Sequence, residues 1–452
     1  MTLIQAESSP RVLLPICAGP SVALLRLSTL LLIGLTSVQV AAQFLVRDQE
    51  YRCPPSDSSC RSSKNLSSFE ERISPNLHRP YSVNYVEFND KGELWNSREL
   101  TDALDQIESA RNGGQEKPLV VVYIHGWQNN ASDSSGDVAK FRDILLAHLA
   151  DTYPSRVLGI YLAWRGLTFT VEPFKHIVSY WPRRSVARHE GQTGMYDAVS
   201  KILAVINKDG HRKDYFLVFA GHSFGARVLE NAADAVGKNH YGFMAKYRMQ
   251  ESATFSSTRN NLMSEEDRIV TEPPPADLFL YINAASSSAV TRRTLRDIRE
   301  KCRNNSLGRL CSTNAFYVAV TSHADLATGI ILPIANFVFP ALTSDGLHLI
   351  SAANTPSLHT HKDAKKGCDS SASVCFKVTE GSEMVDYSIE RIGDRVEIPG
   401  KSNDPFWVFN VGKEVMKDHG DVWNPSVTDL VTKIIQENPR FQILAALYLQ
   451  NR

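Results

Sequence analysis

The sequence lacks an excess of charge of either sign, because its 452 residues include 49 basic and 49 acidic side chains. A nucleic-acid-binding surface normally needs a basic excess, so that class of protein is not indicated. The sequence also lacks the composition of a disordered chain, since 43% of its residues are apolar and only 22% are charged. It contains no internal repeat. We therefore expect a packed globular protein whose domain count must come from the pattern of elements.

Spacings typical of metal sites are missing too. The histidines and cysteines form no CxxC or HxxxH pattern, and His359 and His361 are interpreted as a solvated loop pair, so no metal or cofactor is expected. Six of the seven cysteines instead fall into local pairs, for which we expect disulfides: Cys53–Cys60, Cys302–Cys311 and Cys368–Cys375. Several other pairings are open, but local pairing is the simplest in an oxidising compartment.

A long hydrophobic run that would span a membrane is also lacking. The apolar stretch from Leu27 to Val38 is short, and small residues at Val40 and Ala42 suit signal peptidase cleavage before Gln43. Residues 1–42 are therefore predicted to be a signal peptide of an exported protein, periplasmic or extracellular. An uncleaved signal that anchors the protein to the membrane is the alternative.

What is present begins with a polar segment rich in Ser, Arg and Pro. Residues 43–78 are predicted to form a loosely ordered lead-in, and residues 79–452 a single domain. Within that domain Ser82–Phe88 alternates polar and apolar residues. A turn signal and Glu93–Trp95 follow, so a β-hairpin is predicted there.

Short, continuous apolar runs then recur along the chain and alternate with amphipathic helical patterns. Such runs are typical of strands that are buried on both faces, and their alternation with helices favours an α/β fold with a mostly parallel central sheet flanked by helices. The predicted strands are Leu119–Ile124, Val157–Trp164, Tyr215–Ala220, Leu278–Ile282, Ala315–Val320 and Phe406–Val411. Functional groups are expected at the carboxyl ends of these strands.

The sharpest motif lies between the third of these strands and a helical stretch, Arg227–Ala235. Gly221-His-Ser-Phe-Gly225 has the form Gly-x-Ser-x-Gly, in which the glycines make room for a tight turn that exposes the serine. Ser223 is therefore the candidate nucleophile. The motif by itself can occur by chance, but a chance match is much less frequent where a strand precedes it and a helix follows it.

Attack by a serine on a carbonyl creates a charged oxygen, which needs preorganised donors. Leu119–Ile124 runs into His125-Gly126-Trp127, and the backbone N–H of Trp127 is the first predicted donor. The N–H of Phe224, at the start of the helix, is the second. The alternative for the first is an ordinary turn at a strand end.

A serine also needs a base and an acid that orients the base. Of the thirteen histidines, His419 follows the last predicted strand and is the candidate base, with a surface loop histidine as the alternative. Asp325 follows the strand before it and is the candidate acid, although a helix cap is its other interpretation. Asp404 and Asp421 are rival acids.

These motifs stand in the order of the α/β-hydrolase superfamily, and the chain resembles its lipase and esterase-like branch over roughly residues 80 to 440. The resemblance implies that Ser223, Asp325 and His419 form a catalytic triad which hydrolyses a small-molecule or lipid acyl substrate through an acyl-enzyme, without a cofactor. It leaves open a thioesterase, a peptidase, or a catalytically silent binding module at the cell surface.

Three insertions interrupt this pattern: residues 167–190, 238–276 and 329–404. Inserted loops on a common fold usually determine substrate choice, so we expect them to act as a cap or lid. The apolar stretch from residue 329 to 342 either lines an acyl pocket or packs against the core. Association with a membrane surface and the oligomeric state are left open.

Overall fold

The computed structural model describes residues 52–60, 66–133, 135–164, 166, 187, 193–233, 276–285, 317–322, 324–325, 406–413 and 415–450, and the backbone of five short strands between residues 361 and 396. The chain divides into two compact units. One consists of Met1–Asp48 and Thr168–Ser179, which lie outside the described residues. The other, Gln49–Leu167 and Tyr180–Arg452, contains every described residue.

The larger unit is built on a mostly parallel sheet. Eight of its strands follow one another in the order β1-β2-β4-β3-β5-β6-β7-β13, and all neighbours are parallel except the antiparallel pair of β1 and β2. Three short strands, β8 to β10, continue the sheet beyond β13, and β11 and β12 pair with each other. The strands are β1 Phe69–Ile73, β2 Pro80–Phe88, β3 Leu119–Ile124, β4 Val157–Trp164, β5 Phe216–His222, β6 Leu278–Ile282, β7 Tyr317–Ser322, β8 His361–Asp363, β9 Phe376–Glu380, β10 Glu383–Val385, β11 Arg391–Ile392, β12 Arg395–Val396 and β13 Phe406–Val411.

Helices cover both faces of this sheet. They are α1 Ser97–Ala110, α2 (Gly136–Ala139, Lys140–Leu146 and Ala147–Thr152, continuous, with a π-helical middle part), α3 Gly194–Asn207, α4 at residues 224–233, α5 Pro425–Gln436 and α6 Pro439–Gln450. Val121 and Tyr123 of β3 belong to one apolar cluster, with α2, α5 and α6, whereas Val120 and Val122 belong to another, with α1, α3 and α4. Successive strand residues face opposite sides, so the apolar run of β3 is buried by helices on both faces. The fold is therefore of the α/β class.

The predicted strands largely agree with the structure. Four have the predicted bounds, and the other two, β5 and β7, end two residues later than predicted, at His222 and Ser322. The predicted hairpin forms only in part: the N–H of Trp95 donates to the carbonyl of Glu87 and that of Asn89 to the carbonyl of Glu93, but Glu93–Trp95 is not a strand. Strand β2 pairs with β1 and β4, and Leu94 makes only an isolated bridge to Phe88 before Asn96 caps α1. The segment after the turn is too short to form a strand, because a helix begins at Ser97.

Order also begins earlier than expected. Strand β1 lies inside the segment 43–78, for which the sequence suggested a loose lead-in, and so does the disulfide between Cys53 and Cys60. The other two predicted disulfides and the predicted signal peptide lie outside the described residues, as do most residues of the three predicted insertions; within residues 329–404 the backbone of β8 to β12 is described. In the part of the chain that is described, no helix has the length and apolar character needed to cross a membrane.

Candidate active site

Ser223 lies on a tight turn between β5 and α4. Its φ is +54°, in the left-handed region that serine rarely adopts, and its side chain is buried. A Cβ at Gly225 would lie 2.2 Å from the carbonyl oxygen of Ile124, and one at Gly221 would lie 2.7 Å from the Cα of Ala226. Only glycine fits at either place, and the turn can therefore pack against the end of β3.

The structure brings the three predicted triad residues into contact. Nε2 of His419 lies 2.6 Å from the Oγ of Ser223, and Nδ1 of His419 lies 2.8 Å from Oδ2 of Asp325. The side chain of Asp325 is fully buried, while that of His419 is 23% exposed. A proton on Nδ1 bonds the carboxylate and leaves Nε2 as the acceptor for the serine hydroxyl. The arrangement is that of a nucleophile, its base and an orienting acid.

The topology of the sheet explains this convergence. Strands β5, β7 and β13 are all parallel, so their carboxyl ends lie at one edge of the sheet. The hydroxyl of Ser322, the last residue of β7, donates to the carbonyl of Met416 at 2.7 Å, and its own carbonyl accepts the N–H of Asp325 at 3.1 Å. The loop that carries the acid is thereby bonded to the loop that carries the histidine.

The two predicted oxyanion residues lie beside Ser223. Gly126 approaches the nucleophile so closely that a Cβ there would be 3.0 Å from the Cβ of Ser223. Trp127 follows Gly126, and the centroid of its indole ring lies 6.4 Å from the centroid of the Phe224 ring, in the first residue of α4. The loop after β3 and the start of α4 thus both lie next to the serine.

His125 fixes the beginning of that loop. Its Nδ1 lies 2.8 Å from the carbonyl oxygen of Gly126 and donates to it, while Nε2 accepts the backbone N–H of Trp164 at 3.1 Å. Burial lowers the pKa of His125 to about 4, so the ring is neutral at physiological pH and keeps this pair of bonds. A neutral ring with both nitrogens bonded is a positional anchor and not a second base.

Of the two rival acids, Asp421 makes its hydrogen bonds away from the His419 side chain in the described part of the chain. Asp421 accepts the backbone N–H of Lys417 at 3.0 Å and the side-chain amide of Asn424 at 2.8 Å, so it closes its own loop. Asp404 lies outside the described residues. The contact between Asp325 and His419 therefore agrees with the choice of Asp325 over Asp421.

Sequence reasoning gave no role to Asn283, which follows β6. Its side chain is completely buried and joins the loops after β7 and β13 through hydrogen bonds to Ser322 and His419. The only sequence signal was an asparagine at a strand end, a residue type that tolerates the positive φ of +43° found there. His222, which lies within the Gly-x-Ser-x-Gly motif, also contacts the loop of His419.

Among the described residues no group of three or more His, Cys, Asp or Glu side chains has the arrangement of a metal site. No family model, curated protein or solved structure matches this chain.

Proposed function

We propose that the protein is a serine hydrolase of the α/β-hydrolase type that cleaves carboxylic esters or related acyl compounds. One observation carries the proposal: an unbroken hydrogen-bonded chain runs from Ser223 through His419 to the buried Asp325, at the carboxyl ends of parallel strands. The strained backbone of Ser223 supports it, because strain of this kind is retained where it exposes a functional group. The order of nucleophile, acid and base along the chain is that of α/β-hydrolases.

In the acylation half of the proposed reaction, Nε2 of His419 takes the hydroxyl proton as the Oγ of Ser223 attacks the acyl carbon. Asp325 stabilises the imidazolium that forms. The tetrahedral intermediate then collapses, the bond from the acyl carbon to the leaving oxygen breaks, and Nε2 returns the proton to the departing alcohol. The acyl group is left as an ester on Ser223.

Deacylation repeats these steps with water. Nε2 takes a proton from water, and the resulting hydroxide attacks the acyl-enzyme carbonyl. The Oγ of Ser223 leaves with the proton held by His419, which restores the free enzyme and releases the carboxylic acid.

We assign the backbone N–H groups of Trp127 and Phe224 to the oxyanion that forms in both halves. Support comes from their positions: Trp127 follows the glycine that contacts Ser223, and Phe224 stands at the amino end of α4, where the helix dipole favours negative charge. Loss of one such donor typically costs about 3 kcal/mol of transition-state stabilisation.

Covalent labelling tests the proposal directly. A fluorophosphonate probe should modify the wild-type protein at Ser223, located by peptide mass mapping, and Ser223→Ala should not be labelled. His419→Ala should label at least about 100-fold more slowly with an unchanged melting temperature. A folded wild-type protein that resists labelling would reject the hydrolase assignment and favour a binding module.

Nitrophenyl esters of increasing acyl length define the substrate class. We expect turnover of esters to exceed that of the matching anilides, since the proposed reaction is ester hydrolysis. Comparable rates for both would instead identify a peptidase, and thioester analogues would separate a thioesterase.

We also propose that the protein acts outside the cytoplasm, in keeping with the Cys53–Cys60 disulfide and the signal-like residues 1–42. N-terminal mass analysis of the exported form should find Gln43 as its first residue. An N-terminus that retains the leader would indicate a membrane anchor.

A further inference from the structure

One backbone carbonyl in the site receives two side-chain donors. The carbonyl oxygen of His419 lies 3.2 Å from Nδ2 of Asn283 and 2.8 Å from Nε2 of His222. These donors come from different strand ends, Asn283 after β6 and His222 at the end of β5. Both side chains are buried, so water does not compete for these bonds.

The Asn283 amide uses both of its ends. Its oxygen accepts the backbone N–H of Ser322 at 3.0 Å, and its nitrogen donates to His419 and lies 2.9 Å from the sulfur of Met416. Ser322 in turn accepts the N–H of Asp325. This side chain therefore helps to set the distance between the loop that bears the acid and the loop that bears the base, together with the bond from the Ser322 hydroxyl to Met416.

His222 bonds the same carbonyl from the end of β5. A Cβ on Gly126 would lie 2.6 Å from its Nδ1, so its ring separates the loop after β3 from the loop of His419. A carbonyl only accepts hydrogen bonds, which places the ring proton on Nε2. Burial lowers the pKa of His222 to about 3, and the ring therefore stays a neutral donor over the working pH range.

We infer that Asn283 and His222 are positioning residues for the base: together they hold the His419 carbonyl and so aim its imidazole at Ser223. The inference rests on the proposed function. Holding this carbonyl restricts the main-chain torsions of residue 419, from which the position of the ring follows. A misplacement of about 1 Å in such a group costs on the order of 100-fold in rate.

Asn283→Asp is the sharpest test of the first donor. Aspartate keeps the acceptor for Ser322 and tolerates a positive φ, but it replaces the amide donor with an oxygen that faces the His419 carbonyl. We expect kcat for a nitrophenyl ester, per fluorophosphonate-titrated site, to fall by about 10- to 100-fold while KM changes less than about twofold. Asn231→Asp is the matched control, because its amide donates to the carbonyl of Arg227 within α4, and its kcat should not change.

His222 provides a second test that does not depend on whether Asn283→Asp folds. In His222→Gln the side-chain amide reaches nearly as far as Nε2 and keeps a donor, whereas His222→Phe keeps a ring without one. Glutamine should retain kcat within about threefold and phenylalanine should lose about tenfold. Equal losses in both variants, or a kcat of Asn283→Asp equal to that of wild type, would overturn the inference.

A spectroscopic measurement separates this inference from the proposed function. In protein labelled with ¹⁵N-histidine, the Nδ1–H proton of His419, assigned by its loss in His419→Ala, should exchange with water faster in Asn283→Asp than in wild type. If wild type neither labels nor turns over esters, the hydrolase proposal fails, yet faster exchange would still support the positioning role. Unchanged exchange would overturn that role whatever the activity.

Discussion

The proposed catalytic role of Asp325 can be tested by a substitution that leaves its contribution to folding nearly unchanged. Asp325→Asn preserves the shape of the side chain but removes the charge that, in the proposed mechanism, stabilises the His419 imidazolium and selects its tautomer. We expect kcat for a nitrophenyl ester to fall by about 10³- to 10⁴-fold, with the melting temperature within a few degrees of wild type. Steady-state kinetics over a range of pH measures the loss.

The rival carboxylate supplies the matched control for this prediction. Asp421→Asn changes the same functional group in the same region, but its bonds close the loop at Lys417 and Asn424 and do not reach the imidazole. It should lose less than about tenfold in kcat. If Asp421→Asn were the more damaging of the two, Asp421 and not Asp325 would be the acid.

The meeting of Ser223, His419 and Asp325 could be predicted from the sequence, because each of these residues follows a recognisable strand. Ser223 lies in a motif whose glycines are dictated by local sterics, and His419 and Asp325 each come directly after an apolar run. Asn283 gave no comparable signal. The position of Asn283 matters because its amide joins two loops that meet only in the folded protein. The sequence alone does not show whether a buried asparagine joins two loops or ends one strand.

At the scale of the element, the turn around Ser223 depends on the absence of a side chain at Gly225. A Cβ there would lie 2.3 Å from the carbonyl oxygen of His125, and this backbone has little freedom to move. We expect Gly225→Ala to lower the free energy of unfolding by about 2 kcal/mol or more and to abolish labelling of Ser223. Gly136→Ala is the control, because a Cβ at Gly136 meets nothing within 4 Å. Equal stabilities for the two variants in urea unfolding would contradict the argument.

The strands could be predicted because buried parallel strands leave continuous apolar runs in the sequence. Strand β1 could not, since Phe69–Ile73 reads FEERI and none of its residues is fully buried. It is an edge strand, held by antiparallel pairing with β2. Edge strands carry polar side chains, and they resemble loops when only the sequence is known.

A buried ion cluster lies at the amino ends of the parallel strands, away from Ser223, His419 and Asp325. Asp277, just before β6, contacts Arg212 at 2.6 Å and Arg440 at 2.8 Å, and it accepts the N–H of Leu217 at 2.6 Å. Because Arg440 lies in the first turn of α6, this carboxylate attaches that helix to the sheet.

Asp277→Ala would leave two buried guanidinium groups without their counter-charge. We expect a loss of about 3–5 kcal/mol in the free energy of unfolding, measured with urea. Turnover per folded molecule should be unchanged, since the triad lies at the other ends of the strands. The exposed i,i+4 pair of Asp197 and Lys201 gives the comparison, and Asp197→Ala should cost less than about 1 kcal/mol. If Asp277→Ala also cost less than about 1 kcal/mol, the ion cluster would not be what holds the helix.

On the scale of the whole molecule, Arg52 connects the N-terminal described segment to the sheet. Its guanidinium contacts Glu70 and Asp133 and lies 3.5 Å from the ring centroid of Tyr85, and its backbone N–H donates to Glu87 at 2.7 Å. Sequence composition suggested a loose segment here. The contacts that order it are long-range ion pairs, which leave no periodic signal in the sequence.

Glu87, which bonds Arg52, forms a buried pair with Glu99, and this pair makes the stability of the protein depend on pH. Oε2 of Glu99, on α1, accepts the backbone N–H of Glu87 at 2.8 Å, and burial, with the neighbouring carboxyl, raises the pKa of Glu99 well above its usual range. Burial likewise raises the pKa of Glu87, against the opposing effect of Arg52. Above about pH 4.5 the unfolded chain releases protons that the folded protein still holds, so the free energy of unfolding falls as the pH rises towards neutrality and beyond.

Glu99→Gln removes the contribution of Glu99 to this dependence, because the amide resembles the neutral acid at every pH, while the contribution of Glu87 remains. The stability gained over wild type in urea unfolding should be small at pH 5 and larger at pH 8, by about 1 kcal/mol or more. Glu108→Gln is the control on the same helix. The exposed Glu108 carboxyl bonds Lys208, and this bond lowers the pKa of Glu108. The contribution of Glu108 to the free energy of unfolding therefore changes only below about pH 4.5. A wild type whose stability stays flat between pH 5 and pH 8, or a gain in Glu99→Gln that is the same at both, would show that Glu99 is charged in the folded protein.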